Sequence, residues 1–180
     1  KKLPLGFLEG QPFLKNHSRY TRQISEEFPH DLASWKEAET ATNTYRELLA
    51  GSPDHSVIIL TIGHLSSLQK LLQSPADQFS PLSGKQLVEA KVQKWYCMGG
   101  LFPEGKEANF SRPDPASTVY CLGNWTKEVV FCGWEIGRQI VTGDSALRAK
   151  LTSGQPMYRA YELYNNFDGR ASWDQVTAFL

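Results

Sequence analysis

Glu107-Ala108-Asn109 puts a carboxylate and a carboxamide on either side of one small residue, close behind Gly99, Gly100 and Gly105. From an extended segment such a pair projects to one side. It could then grip vicinal hydroxyls, the chemistry that a sugar requires. The plain alternative is a solvated loop acid beside a turn asparagine, since both residue types favour loops. Asp174 falls in the first turn of a helix near the last residue, Leu180. It is either a metal ligand or catalytic carboxylate at a helix mouth, or a charge that complements the helix dipole. The histidines are His17, His30, His55 and His64. Of these His64 alone stands at the end of an expected strand, where it either contacts a substrate or is a packed or exposed loop residue.

Other chemistries lack their residues. No Ser/His/Asp order, Walker loop or Gly-x-Gly-x-x-Gly run is present. Cys97, Cys121 and Cys132 form neither a disulfide framework nor a zinc spacing, and they read as buried, inert thiols. The glycosylation-type triplets at Asn16, Asn109 and Asn124 are too short to carry weight. A formal net charge of +0 argues against a broad nucleic-acid or anionic-membrane surface, because either partner needs a basic excess. The apolar run from Val57 to Ile62 is far too short to cross a bilayer. The start Lys1-Lys2-Leu3-Pro4 lacks the apolar stretch of a secretion signal, which leaves the compartment open.

The elements that must position these residues follow from periodicity. A capping box at Ser34-Trp35-Lys36-Glu37 opens a helix whose apolar or small positions run through Trp35, Ala38, Ala41, Tyr45, Leu48 and Leu49 to a stop at Gly51. Val57 to Ile62 is uniformly apolar, as a strand covered on both faces should be. Leu65 to Leu72 reads as a short helix, and Gln73 to Lys85 as a Ser-, Pro- and Gly-rich loop. Val92 to Cys97 and Val129 to Cys132 are further strands. Asp114-Pro115 opens a helix through Cys121, and Pro156 opens one through Tyr164. A second capping box at Ser172-Trp173-Asp174-Gln175 starts the last helix. At 180 residues and 41% apolar composition the chain suits one domain with a real core. Alternation of helix and strand predicts an α/β fold, a mostly parallel sheet with helices on both faces. Ligands then bind beyond the carboxyl ends of the strands, at 63–65, 98–109 and 133–137.

The order of short motifs carries a resemblance. Gly63-His64-Leu65-Ser66-Ser67-Leu68, behind its apolar strand, resembles the Gly-x-Leu-Thr-Asn-Leu segment of inosine/uridine-preferring nucleoside hydrolases. Met98-Gly99-Gly100, Glu107-Ala108-Asn109 and Asp114-Pro115 resemble that family's Met-Gly-Gly, Glu-x-Asn and Asp-Pro series. Phe131 to Gly137 and Gly169 to Asp174 look like a bacterial branch of it. The resemblance spans residues 40–180.

It implies a Rossmann-like three-layer sandwich and calcium-dependent hydrolysis of the N-glycosidic bond of ribonucleosides, so the partner would be a nucleoside or ribose-type small molecule. By position, Glu107 and Asn109 would bind ribose and Met98 would line the sugar pocket. Asp174 and the backbone carbonyl of Ile62 would be calcium ligands. Trp173 stands where relatives often place a histidine that protonates the leaving base; stacking on its ring could replace that step. The family's Asp-rich cluster, which supplies the general base and most calcium ligands, has no counterpart in this sequence. The expectation is therefore a piece of such an enzyme, truncated at both ends, with weak calcium binding. The alternatives are a non-catalytic sugar- or nucleoside-binding module, or a subunit whose site another chain completes. Many relatives are dimers or tetramers, but no oligomer seam is legible.

Overall fold

The computed structural model describes residues 3–10 and 18–180. Lys1, Lys2, Asn16 and His17 lie outside them. In chain order the elements are β1 (Gly6–Phe7), α1 (Thr21–Glu27), a 3-10 turn (Trp35–Glu37), β2 (Glu39–Thr40), α2 (Ala41–Ala50), β3 (Val57–Thr61) and α3 (Ser66–Gln73). There follow α4 (Gly84–Lys91), β4 (Val92–Met98), α5 (Ala108–Ser111), α6 (Pro115–Asn124), β5 (Val129–Cys132) and α7 (Trp134–Gly137). The last elements are β6 (Val141–Thr142), α8 (Ser145–Arg148), α9 (Pro156–Asn165), β7 (Arg170–Ala171) and α10 (Trp173–Phe179).

The fold is mixed α/β with mostly parallel strands. β3, β4 and β5 form a parallel sheet in that order, with Thr61 beside Cys97 and Met98 beside Cys132. β1 pairs with β2 in parallel, and β6 with β7 antiparallel. The core fills one face of the main sheet. Ile59, Trp95 and Cys97 meet Leu49 of α2, Leu68, Leu71 and Leu72 of α3, Leu87 and Val88 of α4, and Cys121 of α6. Across the strands, Trp95 Nε1 donates to Thr61 Oγ1 at 2.8 Å, which satisfies both buried polar atoms. All three cysteines are free and buried, and burial pushes Cys97 and Cys121 up to about 12.

Several expectations need correction. α2 starts at Ala41 and not at Trp35, because Thr40 takes the cap: its Oγ1 accepts from Asn43 N at 3.2 Å. Ser34 caps only the 3-10 turn, and Glu37 reaches Ala33 N at 3.2 Å instead of closing a box. The end of the supposed loop is α4, opened by a capping box between Ser83 and Gln86. Gly84 is needed there, since a Cβ would lie 1.7 Å from the Leu71 carbonyl oxygen. β3 is not covered on both faces either. Ile58, Leu60 and Ile62 are 55%, 41% and 47% exposed, so its second face is open among the described residues.

The stretch 73–83 is held by an arginine. Arg46 is 1% exposed; its Nε and Nη2 donate to the Asp77 carboxylate at 2.6 and 2.8 Å, and its Nη1 to Ser74 Oγ at 2.9 Å. Nη2 also reaches the carbonyls of Ser80 and Leu82. A buried guanidinium is tolerated when its donors are paired in this way.

Candidate functional site

The chain leaves β4 at Met98 into two glycines that no larger residue could replace. A Cβ at Gly99 would lie 2.2 Å from the Phe110 ring, and Gly100 has φ +83°. Gly100 is pinned on both sides. Its carbonyl accepts from Trp134 N at 2.9 Å, and its N–H donates to Glu107 Oε2 at 3.2 Å. Glu107 caps α5 as well: Oε1 accepts from Asn109 N at 2.8 Å and Oε2 from Phe110 N at 3.1 Å. At 5% exposure the Glu107 carboxylate is compensated by three backbone donors and clasps the loop.

The Glu107–Asn109 pair therefore does not project from an extended segment. Asn109 lies in the helical turn that Glu107 caps. Its Nδ2 donates to the Met98 carbonyl at 3.2 Å and stands 3.1 Å from the Met98 sulfur. Met98, Glu107 and Asn109 thus form one knot at the carboxyl end of β4. No described residue donates to the Asn109 amide oxygen, so that oxygen is an acceptor on offer to a ligand hydroxyl.

Trp173 and Asp174 reach the same end of the sheet on α10, which packs on β4, β5 and α7. Gly137 makes this approach feasible, because a Cβ there would lie 2.5 Å from the Trp173 Cα. Trp173 stacks on Trp134 with centroids 6.3 Å apart and rings inclined by 24°, and its Nε1 donates to the Trp134 carbonyl at 2.8 Å. Ser172 forms no capping box: its Oγ bonds to Thr142 Oγ1 and to the Arg170 carbonyl. Asp174 is exposed, yet its carboxyl is pushed above the ordinary aspartate range, first by partial withdrawal from water; the Glu107 charge adds to this and Arg170 opposes it. Glu107 and Asp174 therefore share one electrostatic neighbourhood. Trp173 and Asp174 open onto a cavity of about 410 Å³ walled by Tyr20, Tyr161, Tyr164 and Arg170.

Two further sequence candidates follow β3. Ile62 comes just past the Thr61–Cys97 pair, level with the end of β4. His64 Nδ1 lies 3.0 Å from Ser66 Oγ, which donates to Asp114 Oδ2 at 2.6 Å. The one Ser66 proton goes to the carboxylate, so His64 Nδ1 is the donor in the first bond. Asp114 Oδ1 in turn accepts from Ser117 N at 3.2 Å and caps α6. This brace joins the starts of α3 and α6.

Trp134, Gly137 and Arg170 were not singled out from sequence. The signal was Gly133 and Gly137 around an aromatic, a spacing that admits a close neighbour. The donors that the resemblance would assign to calcium are the Asp174 carboxylate and the Ile62 carbonyl. Among the described residues no group of three or more His, Cys, Asp or Glu side chains could hold a metal ion. Calcium takes about six to eight oxygens, so these donors do not fit it by themselves.

No protein-family model matches the chain, and no curated protein does.

Proposed function

We propose that this chain carries the sugar-binding side of a nucleoside hydrolase-type site, on a Rossmann-like version of its α/β fold. The reaction in this reading is hydrolysis of the N-glycosidic bond of a ribonucleoside to ribose and a free base. The supporting observation is the Met98–Glu107–Asn109 knot, with its unused amide oxygen, beside an aspartate that feels the Glu107 charge.

Each residue has a limited task. The Asn109 amide oxygen accepts from a ribose hydroxyl, and Met98 forms the floor. Glu107 holds both in place; with its oxygens on three N–H donors it is poorly suited to proton transfer. This also disfavours a paired-carboxylate mechanism with Asp174. Asp174 offers a carboxylate to the sugar. The Trp173 N–H is taken by the Trp134 carbonyl, so its ring serves a leaving base by stacking and not by proton donation. Among the described residues assembled here none is placed as a general base. That observation favours a second reading, a nucleoside-binding module without turnover.

The test is to titrate the chain with inosine and uridine, with and without calcium, and to assay free ribose. Binding with little ribose release is expected, and Asp174→Ala should weaken binding. Rapid release of ribose abolished by Asp174→Ala would overturn the incomplete-site reading, and failure to bind either nucleoside would overturn the sugar site.

A further inference from the structure

Arg170 stands on the wall of the 410 Å³ cavity, next to Trp173 and Asp174. Its guanidinium carbon lies 5.4 Å from the Tyr164 ring centroid and 5.1 Å from that of Trp173. A guanidinium held by ring faces keeps its in-plane N–H edge for other partners. Among the described residues that edge makes no hydrogen bond and no ion pair. This contrasts with Arg46 and Arg159, whose forks are closed on carboxylates. A second cation stands close by: Arg19 lies 5.5 Å from the Tyr164 centroid, with Nη1 donating to the Tyr164 carbonyl at 3.2 Å.

Three chemistries thus meet in one cavity. Aromatic walls suit a planar ring, Asp174 suits sugar hydroxyls, and Arg170 suits an anion with paired oxygens. A neutral nucleoside uses the first two and leaves the guanidinium idle. A nucleoside monophosphate uses all three. The cavity is within the range of about 300–1,000 Å³ in which small ligands bind.

We propose that the ligand of this site is a ribonucleoside monophosphate, with its phosphate on the N–H fork of Arg170; this rests on the nucleoside reading given above for Trp173 and Asp174. The phosphate lies on the Arg170 side of the cavity, and the sugar hydroxyls face Asp174. Arg19 adds a positive charge at the rim.

Isothermal titration of the full chain with inosine, inosine 5′-monophosphate, ribose 5-phosphate and inorganic phosphate tests this at fixed ionic strength. The monophosphate should bind about tenfold more tightly than inosine or more, the expected gain from a bidentate charge-assisted pair. Arg170→Gln should close that gap, so that inosine and its monophosphate bind the variant with equal affinity. Raised salt should narrow it in the unmodified chain, which keeps the claim testable if the variant folds poorly. Equal affinity for inosine and its monophosphate would overturn the phosphate site and leave the nucleoside reading standing. Binding of neither would overturn the nucleoside reading itself. Ribose 5-phosphate or inorganic phosphate binding as tightly as the nucleotide would overturn the nucleotide assignment. A preference that survives in Arg170→Gln would overturn the role of Arg170.

Discussion

Asn109 donates its side-chain amide to the carbonyl of Met98 at 3.2 Å, which ties the helical turn after the glycine loop to the last residue of β4. The bond fixes which way the amide oxygen points. Asn109→Ala should therefore abolish measurable ribonucleoside binding while the far-ultraviolet circular dichroism stays unchanged. Asn109→Asp should also fail, because it replaces the donor with a second acceptor facing the Met98 carbonyl. Titration calorimetry on both variants checks this, and retained affinity in either would remove Asn109 from the site.

Glu107→Gln replaces one carboxylate oxygen with an amide nitrogen that would face a backbone N–H. At a position only 5% exposed, one donor loses its acceptor. The cost is about 1–3 kcal/mol of stability. Urea unfolding reads it, and hydrogen exchange at Gly100 and Phe110 should speed up selectively.

Gly137→Ala would drive a methyl group against the Trp173 backbone, at 2.5 Å from its Cα. Overpacking of this kind costs about 1–3 kcal/mol. It should also displace Asp174 and quench or shift the fluorescence of the stacked Trp134–Trp173 pair. A variant with unchanged emission and stability would show that α10 has room to move.

Acid stability should depend on Asp77. The Arg46 hydrogen bond holds its carboxyl below the ordinary aspartate range; burial opposes this, and the N–H groups of Phe79 and Ser80 help to offset burial. A carboxyl depressed in the folded state stabilises fully above its unfolded value of about 3.9 and loses that contribution as pH falls through and below it. Asp77→Ala should flatten that acid limb. It should also cost about 3 kcal/mol at neutral pH, since Arg46 would stay buried without its counter-charge. Unfolding midpoints from pH 2 to pH 7, as order-of-magnitude bounds of about that window, separate the two effects.

Much of the framework is legible in the sequence, and the exceptions have physical causes. The β-branched runs at Val57 and Val129 read directly as strands, and Asp114-Pro115 reads as a helix start. α4 is hidden because it begins with a glycine that a close neighbour demands. Arg46 on a helix face looks solvent-bound until Asp77 folds over it. The uniform apolarity of β3 suggests two covered faces, whereas Ile58, Leu60 and Ile62 are exposed. At the site, spacing identifies Glu107 and Asn109 as a pair. It does not reveal that the carboxylate turns inward to backbone donors while the amide stays available. Nor does it show that Arg170 lies against Trp173 and Tyr164, since that depends on how β7, α9 and α10 meet.

The central claim is that the knot at Met98, Glu107 and Asn109, with Trp173 and Asp174, is where a ribonucleoside binds. Chemical-shift mapping of the ¹⁵N-labelled chain during an inosine titration tests it most directly. The account predicts saturable shifts at the backbone of Gly100, the side-chain amide of Asn109, the indole N–H of Trp173 and the backbone of Asp174. Shifts confined to other surfaces, or none at saturating inosine, would contradict it.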